Sequence, residues 1–224
     1  MLKAFINAKY RFRPMYTSTN HHSIRIVIFL MVVSSFLAAC TRDSGYKKPR
    51  RPYQIATVAE GGELNMIVEI PAGTSEKFEY SGQRRTFVQD TLPNGEKRRI
   101  QFLPYPGNYG FIPSTMMDEA RGGDGDPLDI LVIGQHAPRG SLLSVEPIAA
   151  LLLTDNGEID TKIIAVPADP IQRSLPASNY LELLLEYPAA HRIIEDWFLN
   201  YKGREEMKLI RWEDEAYAWA EINK

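Results

Sequence analysis

The sequence predicts an α+β fold that is mainly β, with a β-barrel or curled sheet followed by helices. Between residues 63 and 167, apolar residues alternate with polar ones or form short runs bounded by Gly and Pro, which is typical of strands. From residue 188 onward the apolar period lengthens to that of a helix, about 3.6 residues. Strands followed by helices favour helices packed on one sheet. The 224-residue chain, 44% of it apolar, is long enough to form one such domain with a sizeable core.

The first two predicted strands carry conspicuous charges. Residues 63–71 alternate and end in Pro, and Glu69 is a charge inside their apolar run. A charge in a strand most often lies on the solvent face, which is the simpler explanation for it. Residues 77–80 form a short alternating strand in which Lys77 and Glu79 share one face.

A further strand and a tyrosine-rich loop follow. The turn at residues 92–95 leads into a strand predicted over residues 96–103, which begins with cationic side chains. Residues 104–113 contain so many Tyr, Pro and Gly residues that we predict a rigid loop rather than a flexible linker. Its tyrosines are either core residues or phenolic donors that face a polar site, and the pattern favours neither.

Three carboxylates are concentrated in one turn, at Asp124, Asp126 and Asp129. Glycines and a proline surround them, and the apolar run at residues 130–133 predicts a buried strand directly afterwards. Carboxylates this close repel one another unless a cation joins them, and Mg²⁺ is the usual partner because it prefers oxygen ligands. Taken alone, however, the motif is explained more simply by a solvated turn.

The second half of the predicted barrel supplies more charges at strand ends. Residues 142–153 predict strands that are interrupted by one Pro. An Asp-Asn-Gly turn then predicts a hairpin over residues 154–167, which brings Asp155, Asp160 and Lys162 to the ends of its strands.

Two helices are predicted at the C-terminal end. The first runs from residue 188 to Gly203, with Tyr201 and Lys202 in its last turn, and the second covers residues 214–222. The apolar stripe of the first helix consists of Ile193, Ile194, Trp197, Phe198 and Tyr201.

The first forty residues resemble an export signal. Residues 26–39 are fourteen uncharged, largely apolar residues between Arg25 and Cys40, too few to span a bilayer comfortably; a buried core helix is the alternative. Cys40 is the only cysteine, so no intrachain disulfide is possible, and its context resembles a bacterial lipoprotein signal whose cysteine is lipidated. We therefore predict a signal peptide over residues 1–39, a lipid-anchored tether over residues 40–60 and a catalytic domain over residues 61–224.

This arrangement predicts an exported lipoprotein that is anchored to a membrane and faces the periplasm or the cell exterior. A cytoplasmic location is expected if the segment is not a signal. Residues 1–39 hold five of the 26 basic residues and none of the 28 acidic ones, so the remainder has a net charge of −7. Such an acidic domain is a poor general binder of nucleic acid, and the basic run at residues 47–51 is explained more simply as a tether near a membrane.

The remaining motifs indicate phosphate chemistry. The sequence has no Gly-x-x-x-x-Gly-Lys loop, Gly-x-Gly-x-x-Gly turn, Gly-x-Ser-x-Gly elbow or His-Glu-x-x-His helix. One cysteine and four histidines argue against a zinc site. Acid clusters that bind magnesium, next to Lys, Arg and Tyr side chains that bind anionic oxygen, are typical of phosphoryl transfer to water.

On these residues the chain resembles the soluble inorganic pyrophosphatases of the magnesium-dependent β-barrel family, family I. Residues 124–129, Asp-Gly-Asp-Pro-Leu-Asp, match the family signature Asp-(Ser/Gly)-Asp-Pro-x-Asp, and other matches follow in the family's order over roughly residues 63–222. These matches are residues 67–71, 77–79, 105–110, 155–162 and 201–202. The resemblance implies a closed five-stranded OB-like β-barrel with flanking C-terminal helices, and a homo-oligomer.

The resemblance also implies a reaction, the hydrolysis of pyrophosphate to two phosphates by a metal-activated water, with several Mg²⁺ ions per active site. Asp126 is implied as the general base that takes the proton of the water. The implied metal-site residues are Asp124, Asp129, Asp160, Asp155 and Glu69, with Glu69 in the outer shell. The implied substrate-binding residues are Lys77, Tyr109, Lys162, Tyr201 and Lys202, supported by Tyr105 and Glu79. An arginine is also implied; Arg99 is preferred because it keeps the strand parity with Tyr105, and Arg98 is the alternative.

Two other classes of function stay open at this point. One is a related phosphoanhydride hydrolase that acts on a nucleotide or on polyphosphate. The other is a non-catalytic surface lipoprotein that kept the fold for binding, and the presence of every site aspartate argues against it.

Overall fold

The computed structural model describes residues 45–123, 125–203 and 206–224. The predicted signal peptide, the predicted lipidation site Cys40 and the predicted metal ligand Asp124 lie outside the described residues. Within these three ranges, every helix is too short or too polar to cross a bilayer.

Five strands form a closed barrel, which confirms the fold predicted from the sequence. In sheet order they are β1 (Leu64–Ile70), β4 (Asn108–Phe111), β5 (Asp129–Val132), β7 (Glu158–Pro167) and β6 (Leu142–Asp155). Strand β6 also pairs with β1, which closes the ring, and β5 with β7 is its one parallel pair. Outside the ring lie β8 (Met207–Asp214), which pairs with β6, and a separate hairpin of β2 (Phe78–Ser81) and β3 (Thr86–Gln89).

Three α-helices follow or flank the barrel strands. They are α1 (Tyr180–Leu185), α2 (Pro188–Asn200) and α3 (Glu215–Ile222). Helix α2 begins with Pro, whose missing N–H costs nothing at that position, and α3 begins where the Asp214 side chain accepts a hydrogen bond from the Tyr217 N–H. Both helices predicted from the sequence are present, whereas α1 was not predicted.

The barrel strands bury apolar side chains on both faces. One cluster joins residues from β1, β5, β6 and β7 with Ala218 and Ile222 of α3, and it fills the barrel. The alternate residues of β5, β6 and β7 form a second cluster with Leu183 of α1 and with Trp197 and Phe198 of α2. Burial on both faces explains why these strands are nearly continuous apolar runs in the sequence.

Three details of the sequence prediction are wrong. The strand predicted over residues 96–103 forms only isolated bridges, because Ile100 is its one buried apolar side chain and there is no apolar face to pack. The segment predicted as a rigid loop, residues 104–113, contains β4. Ile193, predicted on the apolar stripe of α2, is 57% exposed. Strands β3 and β8 were not predicted.

Candidate active site

The acids, cations and tyrosines singled out by the sequence come together in one cavity of about 270 Å³. Twelve of the predicted site residues line it: Glu69, Lys77, Glu79, Tyr105, Tyr109, Asp126, Asp129, Asp155, Asp160, Lys162, Tyr201 and Lys202. They come from β1, from β2 and the residue before it, from the tyrosine-rich segment, from the aspartate turn, from the β6–β7 hairpin and from the end of α2. The fold therefore collects in one place groups that are far apart along the chain.

A buried lysine joins two of the aspartates. The Lys162 side chain is 4% exposed, and its ammonium group contacts Asp160 and lies 2.5 Å from Asp129 Oδ2. Tyr109 donates its hydroxyl to the same oxygen at 2.5 Å. Burial lowers the pKa of Lys162, but the two carboxylates outweigh it and hold the pKa well above its usual value, so the lysine stays charged. For the acid Asp160, burial has the opposite sign and raises the pKa, and the charge of Lys162 opposes that rise.

The register of the barrel places these groups together. In the parallel pair β5–β7, Asp129 is the partner of Lys162, and two residues earlier on β7 lies Asp160. Since residues two apart in a strand share a face, Asp160 and Lys162 point the same way. In the β6–β7 hairpin, Asp155 pairs with Glu158 next to the turn, so the acidic end of a third strand, β6, reaches the same edge.

Glu69 is buried in the cavity wall, although a solvent-facing position was the simpler expectation. Its exposure is 7%, and the β1–β4 register shifts between Val68 and Ile70, so it lies at a β-bulge that re-aims the side chain. Its Oε1 accepts a hydrogen bond from the Tyr80 N–H at 2.6 Å. Burial raises the pKa of Glu69 to about 8, and the Tyr80 hydrogen bond opposes the rise.

Asp126 lies on a loop that is fixed by its own backbone. The Asp126 carbonyl accepts a hydrogen bond from the Met117 N–H at 2.8 Å, and the Met117 carbonyl accepts one from the Gly125 N–H at 2.9 Å. The Leu128 N–H donates to the Thr115 hydroxyl at 3.0 Å. The Asp126 side chain itself is exposed and faces the cavity, so a solvent molecule can reach it.

The tyrosines of the cavity are both packing residues and phenolic donors, so the two interpretations of the tyrosine-rich segment hold together. The ring of Tyr201 stacks on Trp197 at 4.6 Å between centroids, and Tyr105 packs on the same Trp197 at 4.5 Å. Burial raises the pKa of Tyr109 and Tyr201 well above the usual value, so their hydroxyls stay protonated. The nearby acids add to the rise, and at Tyr201 the charge of Lys162 opposes it.

Two more lysines contact acids at the cavity. The ammonium group of Lys202 contacts Asp155 Oδ2. Lys77 lies 2.6 Å from Glu79 Oε1 and 3.7 Å from Asp90 Oδ2. Cations and acids thus alternate around the cavity, which is the arrangement needed to bind both metal ions and an anionic substrate.

The structure does not bring Arg98 and Arg99 into the acid-lined cavity. Both line an adjoining cavity of about 450 Å³, which shares Tyr201 and Lys202 with the first. Arg98 donates to Asp90 Oδ2 at 3.1 Å, whereas Arg99 is 60% exposed and lies 3.5 Å from Glu76.

Several residues that line the cavity were not predicted from the sequence. Glu158 and Ile159 lie in the predicted hairpin, where their position beside Asp155 and Asp160 is the available signal. Tyr53 lies within the segment predicted as a tether, and no pattern there indicates a site residue.

The acidic wall of the cavity is suited to a hard divalent cation. Its described carboxylates offer only oxygen, and none of the described residues that line it carries an imidazole or a thiolate, which matches the ligand preference of Mg²⁺. Among the described residues no three acidic groups surround a common point. Asp129 and Asp160 instead converge on the ammonium group of Lys162, so this position requires positive charge. The donor set therefore fits the cofactor that the resemblance implies.

Comparison with known proteins agrees with this geometry. A sequence model of the inorganic pyrophosphatase family matches residues 66–224. The inorganic pyrophosphatase of Synechocystis sp. is 34% identical over 72% of this chain and 88% of its own length. The chain covers 56% of the length of a chloroplastic soluble inorganic pyrophosphatase of Chlamydomonas reinhardtii, at 32% identity over 67% of this chain.

A solved structure shares the fold. The inorganic pyrophosphatase of Thermus thermophilus superposes with a TM-score of 0.65 and 27% identity, over 77% of this chain and 95% of that one. The family model covers most of the barrel and the helices that flank it. The chain belongs to the inorganic pyrophosphatase family.

Proposed function

We propose that this protein hydrolyses inorganic pyrophosphate to two phosphates, with Mg²⁺ as its metal cofactor. The observation that carries the proposal is the single cavity in which an acidic wall faces three lysines and two protonated phenols. Family membership supports the same reaction.

The acids that the sequence singled out divide into two roles in this proposal. Asp124, Asp129, Asp155 and Asp160 would hold the metal ions, with Glu69 behind them. When bound, divalent cations neutralise the charge that develops on the phosphates and make a coordinated water more acidic. Asp126 accepts the proton of the attacking water, since its carboxylate is exposed on a fixed loop.

The cations and phenols bind and stabilise the substrate. Lys77, Lys162 and Lys202 supply positive charge to the phosphate oxygens. Tyr201 donates a hydrogen bond to those oxygens, because its raised pKa keeps the hydroxyl protonated. Tyr109 also stays protonated and donates to Asp129 in the structure, so it would turn to the substrate once Asp129 binds a metal ion. Water forms a new bond to one phosphorus, the bridging P–O bond breaks, and the lysines neutralise the phosphate that leaves.

Replacement of the proposed base tests the mechanism. Asp126→Asn is expected to keep the fold and most of the Mg²⁺ affinity, and to lower kcat for pyrophosphate by about 100-fold or more. Asp118→Asn is the matched control, because Asp118 lies on the same loop but its side chain caps the short turn Glu119–Arg121. Turnover of Asp126→Asn close to that of the control would contradict the role of Asp126.

The substrate is tested by comparing phosphate release from pyrophosphate, ATP and tripolyphosphate in the presence of Mg²⁺. We expect pyrophosphate to be strongly preferred. Equal or faster hydrolysis of ATP or tripolyphosphate would support the alternative, a related phosphoanhydride hydrolase for nucleotides or polyphosphate.

We also propose that the protein is exported and anchored to a membrane by a lipid on Cys40. The fourteen-residue apolar run before Cys40 supports this, as does the basic run that follows it. Metabolic labelling with a radioactive fatty acid, followed by cell fractionation, is expected to place label and activity in the membrane fraction. Cys40→Ala should lose the label and leave the membrane fraction; unchanged fractionation would contradict the anchor.

The family resemblance further supports a homo-oligomer. Light scattering after size-exclusion chromatography of detergent-free Cys40→Ala protein is expected to give a mass of at least two chains. A mass of one chain would contradict this proposal.

A further inference from the structure

Tyr53 lies before the region that matches the family, residues 66–224, yet it lines the active-site cavity. It belongs to the short turn Pro52–Gln54. Its ring is edge-on to Tyr80 and tilted against Phe111, with centroids 5.0 Å away in both cases. The residue is 38% exposed, so one side of the ring is packed and the other is accessible from the cavity.

The hydroxyl of Tyr53 binds the backbone carbonyl of Tyr80, the residue whose backbone N–H binds Glu69. Tyr53 donates to the Tyr80 carbonyl at 2.8 Å, and the Tyr80 N–H donates to Glu69 Oε1 at 2.6 Å. In an antiparallel pair, alternate residues direct both backbone groups away from the partner strand. Tyr80 on β2 is such a residue, and two side chains, Tyr53 and Glu69, bond its outward edge. Tyr53 thereby fixes the edge of β2 on which the Glu69 carboxylate depends.

The same segment is also bound to the residues that precede the Asp126 loop. The Ser114 hydroxyl donates to the Ile55 carbonyl at 2.8 Å and lies 3.2 Å from the Tyr53 carbonyl. Thr57 donates its hydroxyl to the Pro113 carbonyl at 3.0 Å. Residues 113–114 lead directly into the loop whose backbone bonds fix Asp126. The segment around Tyr53 therefore spans from β2 to the loop of the proposed base.

We propose that Tyr53 is a positioning residue of the active site, which holds β2 and the Glu69 carboxylate in place against the loop that carries Asp126. This inference rests on the proposed function, because the proposed function assigns Glu69 to the outer shell of the metal site. Groups behind a metal ligand set typically change metal affinity or activity by about 10- to 100-fold when they are removed. The Tyr53 hydroxyl acts one step further away, so its loss should have a smaller effect. Burial, followed by the charges of Glu69 and Asp126, raises the pKa of Tyr53 to about 12, which keeps the hydroxyl a donor.

Two substitutions separate the hydroxyl from the ring. Tyr53→Phe keeps the ring contacts with Tyr80 and Phe111 and removes only the hydrogen bond. Tyr53→Leu removes the aromatic contacts as well. Gln54→Ala is the matched control, because Gln54 is in the same turn and its side chain accepts a hydrogen bond from exposed Arg51.

Mg²⁺ binding without substrate, measured by isothermal titration calorimetry on the full chain, is the first measurement. We expect the Mg²⁺ dissociation constant to rise about 3- to 10-fold in Tyr53→Phe, the effect of one neutral hydrogen bond, and further in Tyr53→Leu. Gln54→Ala should match the wild type. Equal Mg²⁺ affinity in Tyr53→Phe and wild type would overturn the proposal.

Kinetics supply the second measurement. At limiting Mg²⁺, Tyr53→Phe should hydrolyse pyrophosphate about 3- to 10-fold more slowly, with unchanged KM, and saturating Mg²⁺ should restore most of kcat. A lower unfolding temperature with unchanged Mg²⁺ dependence would show a merely structural residue and overturn the proposal. Because calorimetry needs no turnover, an absence of pyrophosphatase activity in the wild type would refute the proposed function but not the placement of Tyr53.

Discussion

Lys162 and Asp129 are cross-strand partners in the one parallel pair of the barrel, and the lysine ammonium donates to Asp129 Oδ2 from a nearly fully buried position. The same ammonium group contacts Asp160. One cation therefore neutralises two acids that burial would otherwise force to repel each other.

Removal of the buried lysine should destabilise the metal-free protein. Lys162→Met leaves Asp129 and Asp160 without their shared cation, and loss of one partner of a buried ion pair costs about 3–5 kcal/mol. We expect that decrease in the free energy of unfolding in urea with EDTA, and partial recovery with Mg²⁺. Lys208→Met, at an exposed position on β8, is the control. Equal stability of the two variants would show that the pair contributes little.

His191 should make stability depend on pH. It packs 4.2 Å from Trp212 between ring centroids, and its Nε2 is buried without a hydrogen-bond partner among the described residues. Burial lowers the pKa of His191 below its usual value near 6.5, so the unfolded chain binds this proton more readily than the native one. The contribution of His191 to the free energy of unfolding should therefore decrease as pH falls from about 6.5 toward 5, whereas Glu69, whose pKa is raised in the native state, contributes in the opposite direction.

Urea unfolding at pH 5, 6 and 7 checks this dependence. His191→Phe removes this contribution and keeps the aromatic packing, so as pH falls its free energy of unfolding should decrease less, or increase more, than that of the wild type. His136→Phe, at an exposed position, should retain the wild-type slope. A slope in His191→Phe equal to that of the wild type would mean that other groups cause it.

Gly110 is required by a close approach between strands β1 and β4. A Cβ at this position would lie 1.9 Å from the Ile67 carbonyl oxygen, so backbone must move to admit one. Gly110→Ala should lower the free energy of unfolding by at least about 3 kcal/mol, the upper range for overpacking. Gly95→Ala has open space but a left-handed φ of 85°, and should cost only about 1–2 kcal/mol. A smaller loss in Gly110→Ala than in Gly95→Ala would contradict the steric argument.

The two candidate arginines should differ in their effect on substrate binding. Arg98 is 28% exposed and is held by Asp90, which also lies 3.7 Å from Lys77, whereas Arg99 is 60% exposed. Of the two, the geometry favours Arg98 as the arginine that contacts phosphate from the adjoining cavity. Arg98→Met should raise KM for pyrophosphate about 10-fold, the effect of one charge-assisted hydrogen bond, and Arg99→Met less than about 2-fold. The reverse order would assign the role to Arg99.

Much of this site was predictable because its residues lie at strand ends with a recognisable spacing. Motifs that the sequence shows directly contain the aspartate turn, the acids of the β6–β7 hairpin, and Tyr201 and Lys202 at the end of α2. Periodicity also predicts the strands, since β1, β6 and β7 have long apolar runs, whereas the closure of the barrel was implied by the family resemblance. Each of these patterns lies within a short stretch of sequence, and the structure contains the element that it predicts.

What the sequence could not show depends on contacts between distant segments. Glu69 looked like a solvent-facing charge because pattern reasoning assumes strict alternation, and a β-bulge breaks it. Strand β4 was read as a loop because its Gly residue weakens the strand pattern, although neighbouring backbone requires that Gly. Tyr53 lies at the cavity and bonds the carbonyl of Tyr80, which is 27 positions away in the chain. No local sequence pattern predicts such a contact.

The pairing of β5 with β7 has a consequence for how the protein gains activity. These two strands are separated in the chain by the whole of β6, so the Asp129–Lys162 contact is absent from every local hairpin and forms only when the barrel assembles. Long-range pairings of this kind form late, because the intervening chain loses entropy before the contact compensates for it. The recovery of pyrophosphatase turnover during refolding therefore reports when the barrel closes. It should occur later than the recovery of secondary structure.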